Sequence, residues 1–164
     1  MGKPGFTLIE LLIVLVIIGI IVTLAIPNYE SYIRNVQAVE AKTVLRKLSD
    51  ACVNFYTESG RWPTEAEGFA ALDIQPPTSK YFTYTYSLRV FPAATFQSVA
   101  AQYKDIDLLK QGSVRAYIIQ HYDQPRHYGE IGQPVGNGWY RYYFCYKKGS
   151  AALYDWDGNR INFL

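Results

Sequence analysis

Apolar positions are spread unevenly along the 164 residues of this chain. Leu11 to Val22 is an unbroken apolar run, and between Phe6 and Ile26 the only charge is Glu10. From Ala41 the spacing changes. Ala41, Val44, Leu45, Leu48, Ala51, Cys52 and Phe55 recur at intervals of three and four, which sets them on one stripe of a helix. Lys42, Arg46, Lys47, Asp50 and Asn54 fall outside the stripe, with Arg46 and Asp50 spaced for an i,i+4 ion pair. Gly60 and Pro63 supply the stop. One helix is therefore expected from Phe6 to about Glu58, apolar all round in its first half and amphipathic in its second.

Past a loop and short helical turn at Gly60–Leu72, the period drops to two. Tyr81–Val90 alternates, with Phe82, Tyr84, Tyr86 and Leu88 on one face, and Val114–His121 is a second β-rich run. Trp139–Lys147 carries the clearest alternation: Tyr140, Tyr142, Phe144 and Tyr146 share one face, Arg141, Tyr143, Cys145 and Lys147 the other. Ala100–Gln111 reads as a short helix or loop, and the glycine-rich Gly129–Gly138 as a surface loop. Lys148-Gly149 is a tight-turn signal, returning Ala151–Trp156 as a partner strand before Asp157-Gly158-Asn159 turns into an Arg160–Leu164 edge. The pattern predicts an α+β fold: a long N-terminal helix whose amphipathic half covers the aromatic face of an antiparallel meander.

Composition narrows the function classes. Hydrophobic residues make up 49% and charged residues 18%, a balance that supports a folded core rather than disorder. A net charge of +2 with no long basic cluster argues against a nucleic-acid partner. His121 and His127 have no cysteine or acidic cluster at ligand spacing, and no Ser/His/Asp set, phosphate loop or carboxylate pair stands out. No enzyme activity and no cofactor is expected. Sheet packing accounts for most of the 15 tyrosines, and exposed ones offer an adhesive surface.

For the N-terminus the residues leave more than one reading. A secretory signal would need a small-residue cleavage site after the apolar run, and none follows. A plain transmembrane anchor fits the length, since roughly 20 apolar residues span the hydrocarbon core, but leaves Glu10 without a partner in an environment where a carboxylate costs on the order of 3 kcal/mol.

The segment Gly5-Phe6-Thr7-Leu8-Ile9-Glu10, continuing as Leu-Leu-Ile-Val-Leu-Val-Ile-Ile-Gly-Ile-Ile, resembles the N-terminal signal of type IV prepilins and pseudopilins. The resemblance implies cleavage between Gly5 and Phe6, N-methylation of the new Phe6 amine, and assembly in which Glu10 of one subunit pairs with the Phe6 amine of its neighbour. A buried charge with a partner is less costly than one without. Three parts follow: a leader over 1–5; a helix over 6–58 whose 6–26 half lies in the membrane and then in a filament core; and a globular head over 59–164. Pro27, which removes a helix hydrogen bond, is either a membrane-exit kink or, as the family implies, part of a stretch that bends or melts on packing. Arg34 and Glu40 read as solvated helix surface, with ion pairing between subunits the alternative.

An extracytoplasmic head makes Cys52 and Cys145 the natural candidate disulfide. It would close a loop of 145 − 52 = 93 residues, about 4 kcal/mol in the chain-entropy picture. Simple alternation turns Cys145 away from the helix, which a bulge would have to repair. Asp155, Asp157 and Asn159 are a weak calcium candidate; the ligands of a full calcium loop are missing and a β-turn is the better reading. No other metal site is expected.

The expected function is a structural subunit of a type IV pilus, serving adhesion, twitching motility or DNA uptake. The alternatives are a type II secretion pseudopilin, with which Gly60–Leu72 also agrees, and a minor tip pilin acting as a binding module. Implied partners are further copies of the chain, the prepilin peptidase/methyltransferase, the inner-membrane assembly platform, minor pilins and the membrane itself. The precursor is placed in the cytoplasmic membrane and the product on the cell surface, or in the periplasm for a pseudopilin.

Overall fold

The computed structural model describes residues 5–91, 94–123 and 132–161, without the side chains of 25–28, 30 and 31. The chain divides into two units, Met1–Val39 and Glu40–Leu164. Helix α1 spans Leu8–Ser59. It stops at Gly60, whose φ of 71° needs no Cβ and whose N–H reaches the Tyr56 carbonyl at 2.9 Å.

The second unit is an antiparallel sheet joined to the latter part of α1. Its strands are β1 (Phe82–Phe91), β2 (Ala94–Tyr103), β3 (Val114–Tyr122), β4 (Gln133–Gly136), β5 (Trp139–Lys147) and β6 (Leu153–Tyr154). Their spatial order is β1-β2-β3-β5-β4, with β6 also against β5. A single 3₁₀ turn, Gly68–Ala71, lies between α1 and β1.

The expected α+β architecture is present, with specific departures. Where Ala100–Gln111 reads as helix or loop, 104–111 are turns and loop but Ala100–Tyr103 extends a strand, Ala94–Tyr103. Its small and polar residues carry little β propensity; β1 and β3 on either side supply its ladder. Within the expected Gly129–Gly138 loop lies β4, joined to β5 by a two-residue turn closed by the Gly136–Trp139 pair. Asn137 (φ 52°) and Gly138 (φ 79°) both adopt positive φ, the pattern of a type I′ hairpin turn. The expected Ala151–Trp156 strand pairs only over Leu153–Tyr154. Of the Arg160–Leu164 edge there is one bridge, Tyr154–Arg160, and 162–164 lie outside the described residues.

The larger correction concerns which face of the sheet meets the helix. Directly paired residues share a face, so Gln97–His121–Arg141, Val99–Ile119–Tyr143 and Ala101–Tyr117–Cys145 form three rows on one side. That side contacts α1: Ser49 Oγ lies 3.0 Å from His121 Nε2, and Arg141 Nη2 2.7 Å from Asp50 Oδ1. Cys145 therefore faces the helix side and needs no bulge. On the opposite side Tyr122, Tyr142 and Phe144 form a second small core with Phe96, Ile118, Tyr140 and Ile161. Alternation separates the two faces of a strand but cannot say which one a helix covers when both are rich in aromatics.

The helix contributes Ala41, Leu45, Leu48, Ala51 and Cys52 to the main core, as the stripe required. Val44 and Phe55 are half-buried. Lys42 and Arg46, expected on the solvated side, lie over the Trp156 ring at 5.8 and 5.5 Å. Lys42 Nζ also donates to the Trp156 carbonyl at 2.8 Å. Asp50 pairs with Arg141 rather than with Arg46.

Candidate assembly segment and the polar cluster of the head

The N-terminal segment offers two chemistries: apolar surface and one carboxylate. Leu8, Ile9 and the aliphatic residues from Leu11 to Leu24 are all exposed, Leu8 at 83% and Leu24 at 68%. Exposure of this extent on consecutive residues marks an interaction surface. Among the described residues, no helix is long and apolar enough to cross a membrane.

Glu10 has a local role that the family resemblance did not suggest. Thr7 donates to Glu10 Oε2 from both its N–H (2.8 Å) and its hydroxyl (2.7 Å), and Glu10 N–H faces the Thr7 hydroxyl at 3.4 Å. This reciprocal arrangement caps the start of α1 and satisfies donors that have no partner within the helix. The Thr-x-x-Glu spacing is itself a sequence signal for it. Gly5 and Phe6 precede the helix, Phe6 at 81% exposure, with nothing within 4 Å of a Cβ built on Gly5. Four residues before Pro27, Thr23 donates its hydroxyl to the carbonyls of Gly19 (2.9 Å) and Ile20 (2.8 Å). The helical backbone continues through Pro27, whose side chain lies outside the described residues. Glu40 Oε1 accepts from Ser79 Oγ at 2.8 Å.

In the head, sequence reasoning missed a buried polar cluster. His121 and Ser49 are fully buried, as is Gln97. His121 Nδ1 lies 2.5 Å from Gln97 Oε1, while Nε2 receives Arg141 Nε at 3.2 Å and faces Ser49 Oγ at 3.0 Å. The partners define one tautomer: Nδ1–H donates to the amide oxygen, and bare Nε2 accepts. The Gln97 amide nitrogen is 3.6 Å from Cys52 Sγ. Burial, reinforced by the Arg141 cation, lowers the His121 pKa to about 3, so the ring is neutral. Trp62 stacks on it at 5.2 Å and meets Trp139 edge-on at 4.8 Å. Nothing in the sequence links Ser49 to a histidine 72 positions away. His127 lies outside the described residues.

The expected Cys52–Cys145 bridge is not formed; both are buried free thiols. Cys52 sits at the Gln97–His121–Arg141 row, whereas Cys145 is four residues along β5 from Arg141, about 13 Å at the rise of a strand. A disulfide needs Cα atoms within about 7 Å. The Cys145 thiol instead donates to the Asp155 carbonyl at 3.1 Å. Burial raises the Cys52 pKa to about 12 and that of Cys145 to about 11, which disfavours the reactive thiolate.

The Asp155–Asn159 segment is a turn. Asp155 Oδ1 accepts the N–H groups of Asp157 (2.9 Å) and Asn159 (2.8 Å), and Oδ2 the Asn159 side-chain amide at 2.9 Å. Those bonds use the carboxylate lone pairs that a cation would take. Among the described residues, no group of three or more His, Cys, Asp or Glu side chains could hold a metal.

A short segment between α1 and β1 repeats the capping geometry. Thr64 donates from its N–H (2.8 Å) and hydroxyl (2.9 Å) to Glu67 Oε2, and Arg61 pairs with both Glu67 oxygens at 2.8 and 2.9 Å. The fork from Arg61, then the Thr64 N–H, hold the Glu67 carboxyl down at about 2.

Residues 1–26 match the family model described as the prokaryotic N-terminal methylation motif. The chain is 42% identical over 71 residues to the fimbrial protein EcpC of Eikenella corrodens, covering 42% of this chain and 46% of that protein. It is 41% identical over 61 residues to the type IV major pilin protein PilE1 of Neisseria gonorrhoeae, 37% of each chain. With the fimbrial protein of Moraxella nonliquefaciens it shares 39% over 80 residues, 49% of this chain and 51% of that one. The similarity thus spans between a third and about half of these relatives' length. No solved structure matches the chain.

Proposed function

We propose that this chain is a type IV pilin, a structural subunit of a type IV pilus that polymerises through its N-terminal segment. The methylation motif over residues 1–26 and the similarity to fimbrial proteins and major pilins support this reading. The observation that carries this reading is the run of exposed aliphatic side chains from Leu8 to Leu24, broken by the single carboxylate of Glu10. Cleavage after Gly5 would free an amine on Phe6, to be methylated by the peptidase that cuts it. On the sequence, Phe6–Ile26 supplies the roughly 20 apolar residues that hold a precursor in the cytoplasmic membrane. On assembly, apolar contact with neighbouring copies replaces lipid, and Glu10 meets the neighbour's Phe6 amine. Pairing the two charges relieves the cost of placing either in an apolar surround. The similarity to fimbrial proteins and major pilins favours a surface filament over a secretion pseudopilin.

Glu10→Ala tests the mechanism. Membrane fractionation should find the variant inserted and cleaved like the wild type, while filaments sheared from the cells fall at least tenfold. Undiminished filament yield would refute the charge pair. Deletion of the gene, read by electron microscopy, separates the roles: loss of surface filaments marks the major subunit, whereas intact filaments with blocked secretion mark a pseudopilin.

A further inference from the structure

The cluster around His121 is a group of buried polar side chains that filament assembly does not use. Four parts of the fold meet there. α1 brings Ser49, Cys52 and, at the rim, Asp50; β2 brings Gln97; β5 brings Arg141; and Trp62, just past the helix, lies over the ring. Among the described residues, Arg141 from β5 touches the imidazole, and the charged and titratable groups around that contact are Asp50 and the Cys52 thiol from α1 and the Tyr56 phenol behind Trp62 at 4.8 Å. Asp50 points at the Arg141 guanidinium rather than at the ring. No carboxylate touches His121 among the described contacts, so a proton on the ring would have no counter-charge.

We propose that this cluster is an acid-released latch between α1 and the sheet. Its geometry works only while Nε2 is an acceptor. Protonating Nε2 turns it into a donor directed at Arg141 Nε, only 3.2 Å away, and sets two cations side by side in a dry site. Ser49, the described hydrogen-bond partner of the ring on α1, is then left facing a donor and must turn its hydroxyl round to accept, while Arg141 loses its acceptor and withdraws. Its bond to Asp50, 60% exposed, goes with it or swings into solvent. Proton uptake thus reverses the Ser49 bond and weakens the Asp50–Arg141 bond in one event, and the stacked Trp62 reports it. These are two of the three polar contacts described between this stretch of helix and the sheet, the third being Gln97 to Cys52.

The test uses the full chain in detergent micelles. Replacing His127 by Gln leaves a single imidazole for NMR titration, followed in parallel by near-ultraviolet circular dichroism. The latch requires that the His121 resonance stay neutral through pH 5 and titrate in the same step that loses the aromatic signal. It also requires Arg141→Met to move that step upward by about one pH unit, because the repelling cation is gone. Titration of His121 near pH 6.5 with the aromatic signal intact would overturn the proposal. So would a step whose midpoint ignores Arg141→Met, or moves no further than that of Leu45→Ala, because lost stability alone also raises an acid-unfolding midpoint.

Discussion

Glycine 132 shows how closely a single residue is constrained. A Cβ built there would overlap Cζ of the Tyr142 ring, which is itself buried in the second core. Neither backbone nor ring can yield without disturbing neighbours, so Gly132→Ala should cost on the order of 1–3 kcal/mol of stability in urea unfolding. The same scale governs the cysteines. With both thiols buried and their pKa values raised to about 12 and about 11, neither should react with a maleimide at pH 8 in the folded protein. Two should react once the chain is unfolded without reductant; finding none then would mean that the two are bonded. Glu67 is exposed, and its effect on stability is correspondingly small. Its folded pKa of about 2 lies below its ordinary 4.5, so its contribution is present above pH 4.5 and lost as pH falls toward 2.

At the scale of elements, α1 joins two environments in one helix. Leu45 and Leu48 are fully buried, and Leu45→Ala should destabilise the head by about 2–5 kcal/mol, measured by thermal or denaturant unfolding. A matching truncation at Leu15, 67% exposed, should leave head stability unchanged within error. The stripe of α1 and the strands β1, β3 and β5 were legible in the sequence because their apolar spacing is regular and their residues suit the element. β2 was not, because Gln97, Ser98, Ala100 and Ala101 are weak β formers held by their neighbours. β4 was missed although Asn137-Gly138 is the sequence of the turn that forms it, glycine content having been read as loop. At the N-terminus the charge chemistry was legible and the Thr7 cap was written in the same six residues. The His121 cluster was illegible for a different reason: its members come from five places in the chain, three of them aligned by strand register and the others brought by α1 and Trp62.

For the whole molecule, acid is the condition to which this fold should be most sensitive. His121 is neutral when folded, with a pKa near 3 against an ordinary 6.5. Between those values the unfolded chain takes up a proton that the folded one refuses, so stability falls as pH drops from 6.5 toward 3. Glu67 adds to the same slope below 4.5. Denaturant midpoints measured from pH 8 to pH 4 should be flat at the alkaline end and decline below about 6.5, with the upper part of that decline absent from a folded His121→Gln variant.

The division of the chain at Val39 and Glu40 has a practical corollary. Every exposed aliphatic side chain of the Leu8–Leu24 run lies before that point, and every described strand lies after it. Water solubility and fold are therefore written in separate stretches of one helix. A chain beginning a turn or so ahead of Glu40 should remain in solution without detergent at concentrations where the intact protein precipitates, and should show the same circular dichroism in its sheet.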